Sequence, residues 1–354
     1  HKRYQRNHNI GIVTHEEISN TSGIVWDSDI CSEEEYIYIM NQAAEIFETL
    51  SRPHRYEVFK RMSIQDYQDR VRSQYIILKR LIHNFNPKIV IFGNIPHEGY
   101  DIILANICRF NNINFYSCFQ LPFIGRFQII KCHKDIYKWT FNNILHGDIK
   151  ELDNSEEQLI RSFINKLLGK EKYFYMHNIK PHSMPLLKEA FSFRKTIQSN
   201  LYSIFYIISC KLKHIQYNKT INKLSIKTNS PLLQKPFIYF PLHHQPEMNT
   251  SALGSIYNDQ SILIAEICNI AKKYDINVII KENPKQSFSH RSTNFLYQIN
   301  KNINCYLASK NISSQFLLSK SIIAVTISGT IGPESLAQNK KVFSLCTAWW
   351  SNHK

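Results

Sequence analysis

Glycine is scarce in this chain, ten in 354 residues. That excludes a Gly-rich, low-complexity protein, and neither a GxGxxG fingerprint nor a GxxxxGK[ST] phosphate loop occurs. Cysteine is present but unorganised: the eight Cys form no CxxC pair. A disulfide-stapled secreted scaffold is shorter and denser in Cys, so reduced, mostly buried thiols are expected. No apolar run reaches bilayer-spanning length and no secretory signal opens the sequence, so a cytoplasmic protein is expected. Acidic residues are few, 28 against 43 Lys and Arg, leaving a net charge of +15. This points to an anionic partner: nucleic acid, an anionic membrane face or a phosphorylated small molecule. The aromatic residues carry no RNP-like or helix-turn-helix signature, so no nucleic-acid partner is expected.

What is present is an alternation of strand and helix signals over a length that suits two domains. Ile10–Val13 reads as a short strand. Ser32 and Glu35 form a capping-box pattern for a helix running to about Leu50, and Tyr67, Val71, Tyr75, Leu78 and Ile82 repeat at helical spacing. "PKIVIFGNIPHEGYDIILANICRFNNINFYSC" then reads as one βαβ unit: strand Ile89–Phe92, helix Tyr100–Phe110, strand Ile113–Cys118. Residues 148–200 are helical and charged. "LYSIFYIISC" (201–210) is apolar, half a membrane span long and flanked by Lys; it reads as a buried connecting helix or one lying in a membrane interface. A second βα series follows, with strands at Phe237–Phe240, Asn277–Ile280, Ile322–Thr326 and Val342–Leu345. The division expected is therefore an N-terminal domain over 1–200, a linker over 201–235 and a C-terminal domain over 236–354.

In open parallel sheets, ligands bind at the carboxyl ends of strands. Four polar loops fall there: "GNIPHEGYD" (93–101), "PLHHQPE" (241–247), "KENPKQ" (281–286) and "TISGTIGPES" (326–335). Ser328, Gly329 and Thr330 stand where a strand turns into a helix, a setting for a phosphate, with Glu334 one turn on as an acceptor for ribose hydroxyls; an ordinary helix cap has the same residues. Lys281 at a strand end can neutralise a phosphate, with Pro284 stiffening its loop, or the Lys–Glu loop can simply be exposed. His243 and His244 point to opposite sides of an extended backbone and so chelate poorly, and no third ligand stands at metal spacing. One of them facing a nucleotide or sugar acid, with Gln245 and Glu247 fixing polar groups, is the better functional reading; a strand cap and a proline-shaped turn is the plainer one. His97, Glu98 and Asp101 supply the carboxylates and base that glycosyl transfer needs, or else a solvated loop at a helix start. "WDSD" (26–29) matches the DxD pattern of metal-dependent sugar transferases by three residues only, and "HEE" (15–17) lacks the second His of a zinc protease helix.

In order and spacing, "YFPLHHQPEMNTSALGSIYNDQ", "IIKENPKQ....R", "TISGTIGPESLAQNKKVFSL" and "FGNIPHEGYDIIL" resemble the capsule-polysaccharide biosynthesis proteins, over roughly residues 85–350. That family includes the retaining β-Kdo transferases of capsule and lipopolysaccharide O-antigen assembly. The resemblance implies an α/β, GT-B-like fold, with two Rossmann-like domains facing a cleft. It implies a glycosyltransferase that takes CMP-Kdo as substrate, without a metal or other cofactor, and a glycan or glycolipid acceptor. Gln245, Pro246 and Glu247 match its QPE block. Lys281, Asn283 and Pro284 match the nucleotide-side loop, Ser328, Gly329 and Thr330 the phosphate-side helix start, and Glu98 and Asp101 the acidic first-domain loop. The chain departs from the pattern by lacking a His before Pro284 and by carrying Cys346 where relatives have Gly. GT-B chains also continue past the point matching Trp350, so the second domain is expected to be incomplete. Two other readings remain: a GT-B enzyme using a UDP-sugar, GDP-sugar or CDP-polyol, and a non-catalytic basic protein binding a polyanion or an anionic membrane. A transferase of this kind is expected at the inner face of the bacterial inner membrane.

Overall fold

The computed structural model describes residues 24–42, 46, 63–120, 127–131, 153–171, 201–245, 247–286, 291, 293–346, 348 and 350. The strand expected at Ile10–Val13 lies outside them. The chain divides into two compact units, residues 1–138 with 246–252, and residues 139–245 with 253–354.

In the first unit, α1 (Glu33–Met40) starts at Ser32, whose hydroxyl accepts from the Glu35 amide at 3.3 Å. α2 (Ile64–Phe85) opens on a reciprocal box between Ser63 and Asp66 and stops at Asn86, which turns left-handed at φ 41°. Val71, Tyr75 and Leu78 of α2 pack with Ile39 of α1 and with Ile102, Ile103 and Ile107 of α3 (Gly99–Phe110). Inside this layer Glu35 is fully buried, held by Lys79 at 2.6 Å, by the Tyr75 hydroxyl at 2.8 Å and by the Asn111 side-chain amide. The expected βαβ unit is present: β1 (Ile89–Phe92) pairs in parallel with β2 (Asn114–Gln120) across α3, and β3 (Phe127–Ile130) adds antiparallel to β2. The "WDSD" match is a local turn, with the Asp27 carbonyl accepting from Ile30 and Cys31.

The second unit contains α4 (Asn154–Leu167), α5 (Leu201–Leu224) and a six-stranded, all-parallel sheet. Its strands are β4 (Ser225–Ile226), β5 (Phe237–Pro241), β6 (Asn277–Lys281), β7 (Cys305–Ala308), β8 (Ile323–Thr326) and β9 (Lys341–Ser344). Their spatial order is β4-β7-β6-β5-β8-β9. Beginning from β5, the chain winds outward through β6 and β7, then returns to the other side of β5 for β8 and β9. That is a Rossmann-like winding, with its switch point between β5 and β8.

The strands are apolar on both faces because both are covered. Phe240, Val278, Ile280, Leu307 and Val325 pack with Tyr217 and Ile221 of α5, Leu263 and Ile264 of α6 (Gln260–Lys272) and Leu296 of α7 (Thr293–Asn300). Phe237, Tyr239, Ile279 and Ala324 pack on the opposite face with Leu317 and Leu318 of α8 (Ser314–Lys320) and Ile331 of α9 (Ile331–Ala337). Residues 201–235 are not a free linker. α5 packs Tyr217 and Ile221 into the core, and β4 pairs with β7. α4, expected in the N-terminal domain, belongs to this unit as well, and its last carbonyls include Leu167 O, 3.5 Å from Gln315 Nε2.

Truncating the fully buried Phe240 to Ala is expected to cost ~3–5 kcal/mol in urea unfolding. The same measurement on Ile303→Ala, at an 80% exposed position, should give a change within about 0.5 kcal/mol.

Candidate functional site

Three of the four loops chosen from sequence emerge from neighbouring strands of the second unit, at the carboxyl ends of β5, β6 and β8. The strand order therefore brings together His243, Gln245, Lys281, Asn283, Ser328 and Thr330. The fourth loop, with His97, Glu98 and Asp101, follows β1 of the first unit. Glu247 opens the Met248–Ala252 turn, which groups with the first unit, and its amide donates to Thr250 Oγ1 at 3.0 Å.

At the switch point, His243 is buried, 8% exposed, and stacks on Phe240 with ring centres 6.2 Å apart. Its Nε2 lies 3.1 Å from Thr326 Oγ1, and its Nδ1 lies 3.3 Å from the Pro241 carbonyl. A carbonyl only accepts, so the bonding pattern assigns the proton to Nδ1 and leaves Nε2 to accept from the threonine. Thr326 Oγ1 in turn accepts from the Gly329 amide at 2.9 Å. One continuous chain of bonds thus joins the β5 loop to the β8 loop. Gly329 is closely confined: a Cβ there would stand 3.0 Å from Thr326 Oγ1 and 3.1 Å from His243 Nε2. Ser328 is buried and Thr330 is exposed at the start of α9.

The β6 loop is held by charge. Glu282 and Arg291 form an ion pair with side chains 3% and 2% exposed. Glu282 also accepts from the Tyr217 hydroxyl at 2.6 Å and from the Asn283 amide at 2.8 Å. Arg291 donates to the His243 carbonyl at 2.7 Å and lies over the Phe295 ring at 4.9 Å. Neither residue is singled out by the sequence, in which an exposed Lys–Glu loop is one of two readings. The signal available was the spacing of "KENPKQ....R", which was matched without assigning the Arg a partner.

Gln245 is engaged in holding the fold. Its Nε2 donates to the Asn258 carbonyl at 2.6 Å, its Oε1 accepts from Gln260 at 3.1 Å, and Gln286 bonds both its amide (2.8 Å) and its carbonyl (3.0 Å). Gln260 and Gln286, both buried, were not foreseen. The Lys281 ammonium caps the Ile312 carbonyl, and burial lowers its pKa. Asn283 Oδ1 accepts from the Lys285 amide at 2.9 Å, closing the turn that Pro284 stiffens. His244 is half-buried.

Two of the candidate carboxyls are made protonatable near neutrality by burial. Asp101, the third residue of α3, is pushed up to about 8 by desolvation while accepting from the Glu98 amide at 2.7 Å. Glu334 of α9 is pushed up to about 7 by the same cause, with Gln315 Nε2 at 3.3 Å. Glu98, at the N-cap of α3, shares a reciprocal capping box with Asp101, its side chain 28% exposed with His97 Nε2 at 3.8 Å. The closing segment also joins the site. Cys346 donates its thiol to the Leu253 carbonyl at 2.8 Å, and a Cβ on Gly332 of α9 would overlap the Trp350 indole. Among the described residues, no group of three or more His, Cys, Asp or Glu is arranged to hold a metal ion.

Removing one partner of a buried pair strands the other charge, so Arg291→Ala should lose ~3–5 kcal/mol in urea unfolding. The Glu282→Gln, Arg291→Met double variant should lose less than the two single changes summed, as a double-mutant cycle reads directly. Glu334 generates a pH prediction. Its folded pKa of about 7 exceeds the ordinary glutamate value of 4.5. The folded state therefore holds the proton more tightly, and this contribution is complete below 4.5 and lost as pH rises to 7. Thermal melts of Glu334→Gln should be flatter than wild type across that window.

No family model matches the chain, and no curated protein sequence matches it. Among solved structures it is similar to the UDP-GlcNAc 2-epimerase of Methanocaldococcus jannaschii in complex with UDP-GlcNAc and UDP, at 11% identity and a TM-score of 0.28 over 78% of this chain. The chain spans 65% of that structure's length, under two thirds. A second structure of the M. jannaschii enzyme matches at 13% identity and a TM-score of 0.25, over 86% of this chain and 74% of that one. The UDP-GlcNAc 2-epimerase of Neisseria meningitidis bound to UDP-GlcNAc matches at 16% and 0.25, over 88% and 72%. At such identities and TM-scores, the strand order described above, and not the likeness, carries the fold.

Proposed function

We propose that this protein is a GT-B glycosyltransferase that moves a sugar acid, Kdo from CMP-Kdo, onto a bacterial surface glycan with retention of configuration. The observation that supports it is the convergence of three separate sequence blocks. "LHHQPE", "KENPKQ" and "SGTIGPE" lie far apart in the chain, yet they follow β5, β6 and β8, neighbours around one switch point. A family resemblance carried by blocks that meet at a ligand-binding position is stronger than the same blocks read singly.

In this reading Ser328 and Thr330 receive the donor phosphate, and Lys281 adds positive charge. His243, Gln245 and Arg291 act on the donor indirectly, by fixing the loops that carry those groups. Glu98 is the reacting carboxylate in preference to Asp101: both belong to the capping box of α3, and burial favours the neutral form of Asp101. Glu98 attacks the anomeric carbon as the bond to the CMP phosphate breaks and CMP leaves, and the acceptor hydroxyl then displaces the carboxylate, its proton passing to solvent. Two inversions give retention.

The test is to incubate the protein with CMP-Kdo and a glycan acceptor, beside CMP, CDP, UDP and GDP in thermal-shift binding. CMP-Kdo should be transferred or hydrolysed, and CMP should raise the melting temperature most. Glu98→Gln should lower turnover by ~10²–10⁴-fold while keeping the CMP shift. Turnover of a UDP- or GDP-sugar with none of CMP-Kdo would reject the Kdo assignment.

A further inference from the structure

Helix α5 presents an apolar stripe to solvent on the side away from its core. Tyr217, Thr220 and Ile221 are buried, and Tyr217 and Ile221 sit in the sheet's hydrophobic core. Ile208, Leu212 and Ile215 are 47%, 61% and 50% exposed. Ile208 stands nine residues before Tyr217, about two and a half turns, so the two point to opposite sides of the helix. Leu212 and Ile215 follow Ile208 at spacings of four and three, the repeat of a single helical face. The helix is therefore apolar along two opposite faces, of which the sheet covers one.

Charge identifies what covers the other. Residues 201–245 contain six Lys and no Asp or Glu. Lys219 continues the apolar stripe one turn on, Lys223 flanks it, and both are exposed. An apolar ridge with cations beside it matches a bilayer surface, where side chains enter the headgroup region and ammonium groups meet lipid phosphates. A second copy of the same helix would set like charges against each other. Among the described residues no helix is long and apolar enough to cross a membrane, so the contact would be peripheral.

We propose that the outer face of α5 docks the protein on an anionic phospholipid bilayer, with Ile208, Leu212 and Ile215 inserted and Lys219 and Lys223 on the headgroups. This docking does not rest on the transfer reaction proposed above. The test is flotation of the full chain with vesicles of phosphatidylglycerol and phosphatidylcholine, and with phosphatidylcholine alone. Binding should require phosphatidylglycerol and weaken as salt rises. Lys219→Glu with Lys223→Glu should reduce it by at least about tenfold. Leu212→Glu with Ile215→Glu should reduce it at least as much, with the melting temperature kept because both positions are exposed. Undiminished flotation of the Leu212/Ile215 variant, or no flotation of wild type, overturns the proposal. So does a wild-type dimer that this variant turns into a monomer.

Discussion

The ion pair between Glu282 and Arg291 sets the geometry at the carboxyl ends of the second unit's strands. Two charges are taken out of water there, at a desolvation cost of several kcal/mol per ion, which further hydrogen bonds offset, although Arg291 Nε is buried without a partner. Those bonds come from three places: Tyr217 on α5, the Asn283 amide at the end of β6, and the His243 carbonyl in the loop after β5. A helix and two strand ends are thereby bound to one point. Net stability gained from such a pair is small. What it confers is a single admissible path for residues 243–245, since a displaced carbonyl would leave the guanidinium short of an acceptor.

From that point the order passes to β8. His243, its backbone fixed by Arg291 and Gln260, offers Nε2 to Thr326, and Thr326 offers its oxygen to the Gly329 amide. The turn carrying Ser328 and Thr330 is thus positioned from the neighbouring strand as well as from its own. This recasts the paired histidines. The sequence made them candidates for contact with a ligand, whereas the side chain of His243 lies inside the sheet end and transmits position. Gln245 has changed in the same way, with its amide group bonded to Asn258 and Gln260.

The strands most legible in the sequence were those buried on both faces, because a continuous run such as Phe237–Phe240 or Asn277–Ile280 has no other economical explanation. β7, only Cys305–Ala308, was missed: four residues beside a polar "NKNIN" fall below what pattern can separate from a loop. Residues 201–235 read as a linker for the opposite reason. The second half of α5 is mostly polar, and it buries only Tyr217, Thr220 and Ile221, too few to raise an average over the window. Position was legible where topology dictates it, so the loops at the ends of β5, β6 and β8 were found. Partnership was not. Glu282 and Arg291 lie nine residues apart across a turn, and nothing local says that a Glu in "KENPKQ" is buried.

The carboxyl groups show why residue type alone could not assign chemistry. Asp101 and Glu334 both sit in the first turn of a helix, where the helix dipole and free amides favour the anion. Desolvation outweighs that preference at each, lifting Asp101 to about 8 and Glu334 to about 7. Near neutrality such a carboxyl can donate a hydrogen bond as well as accept one, a different property from the fixed negative charge that the sequence suggests. A hydrogen-bond donor facing a phosphate or a sugar carboxylate is an asset, whereas an anion in the same place would repel it. Burial therefore makes an acidic residue at the head of α9 compatible with an anionic ligand beside Ser328 and Thr330.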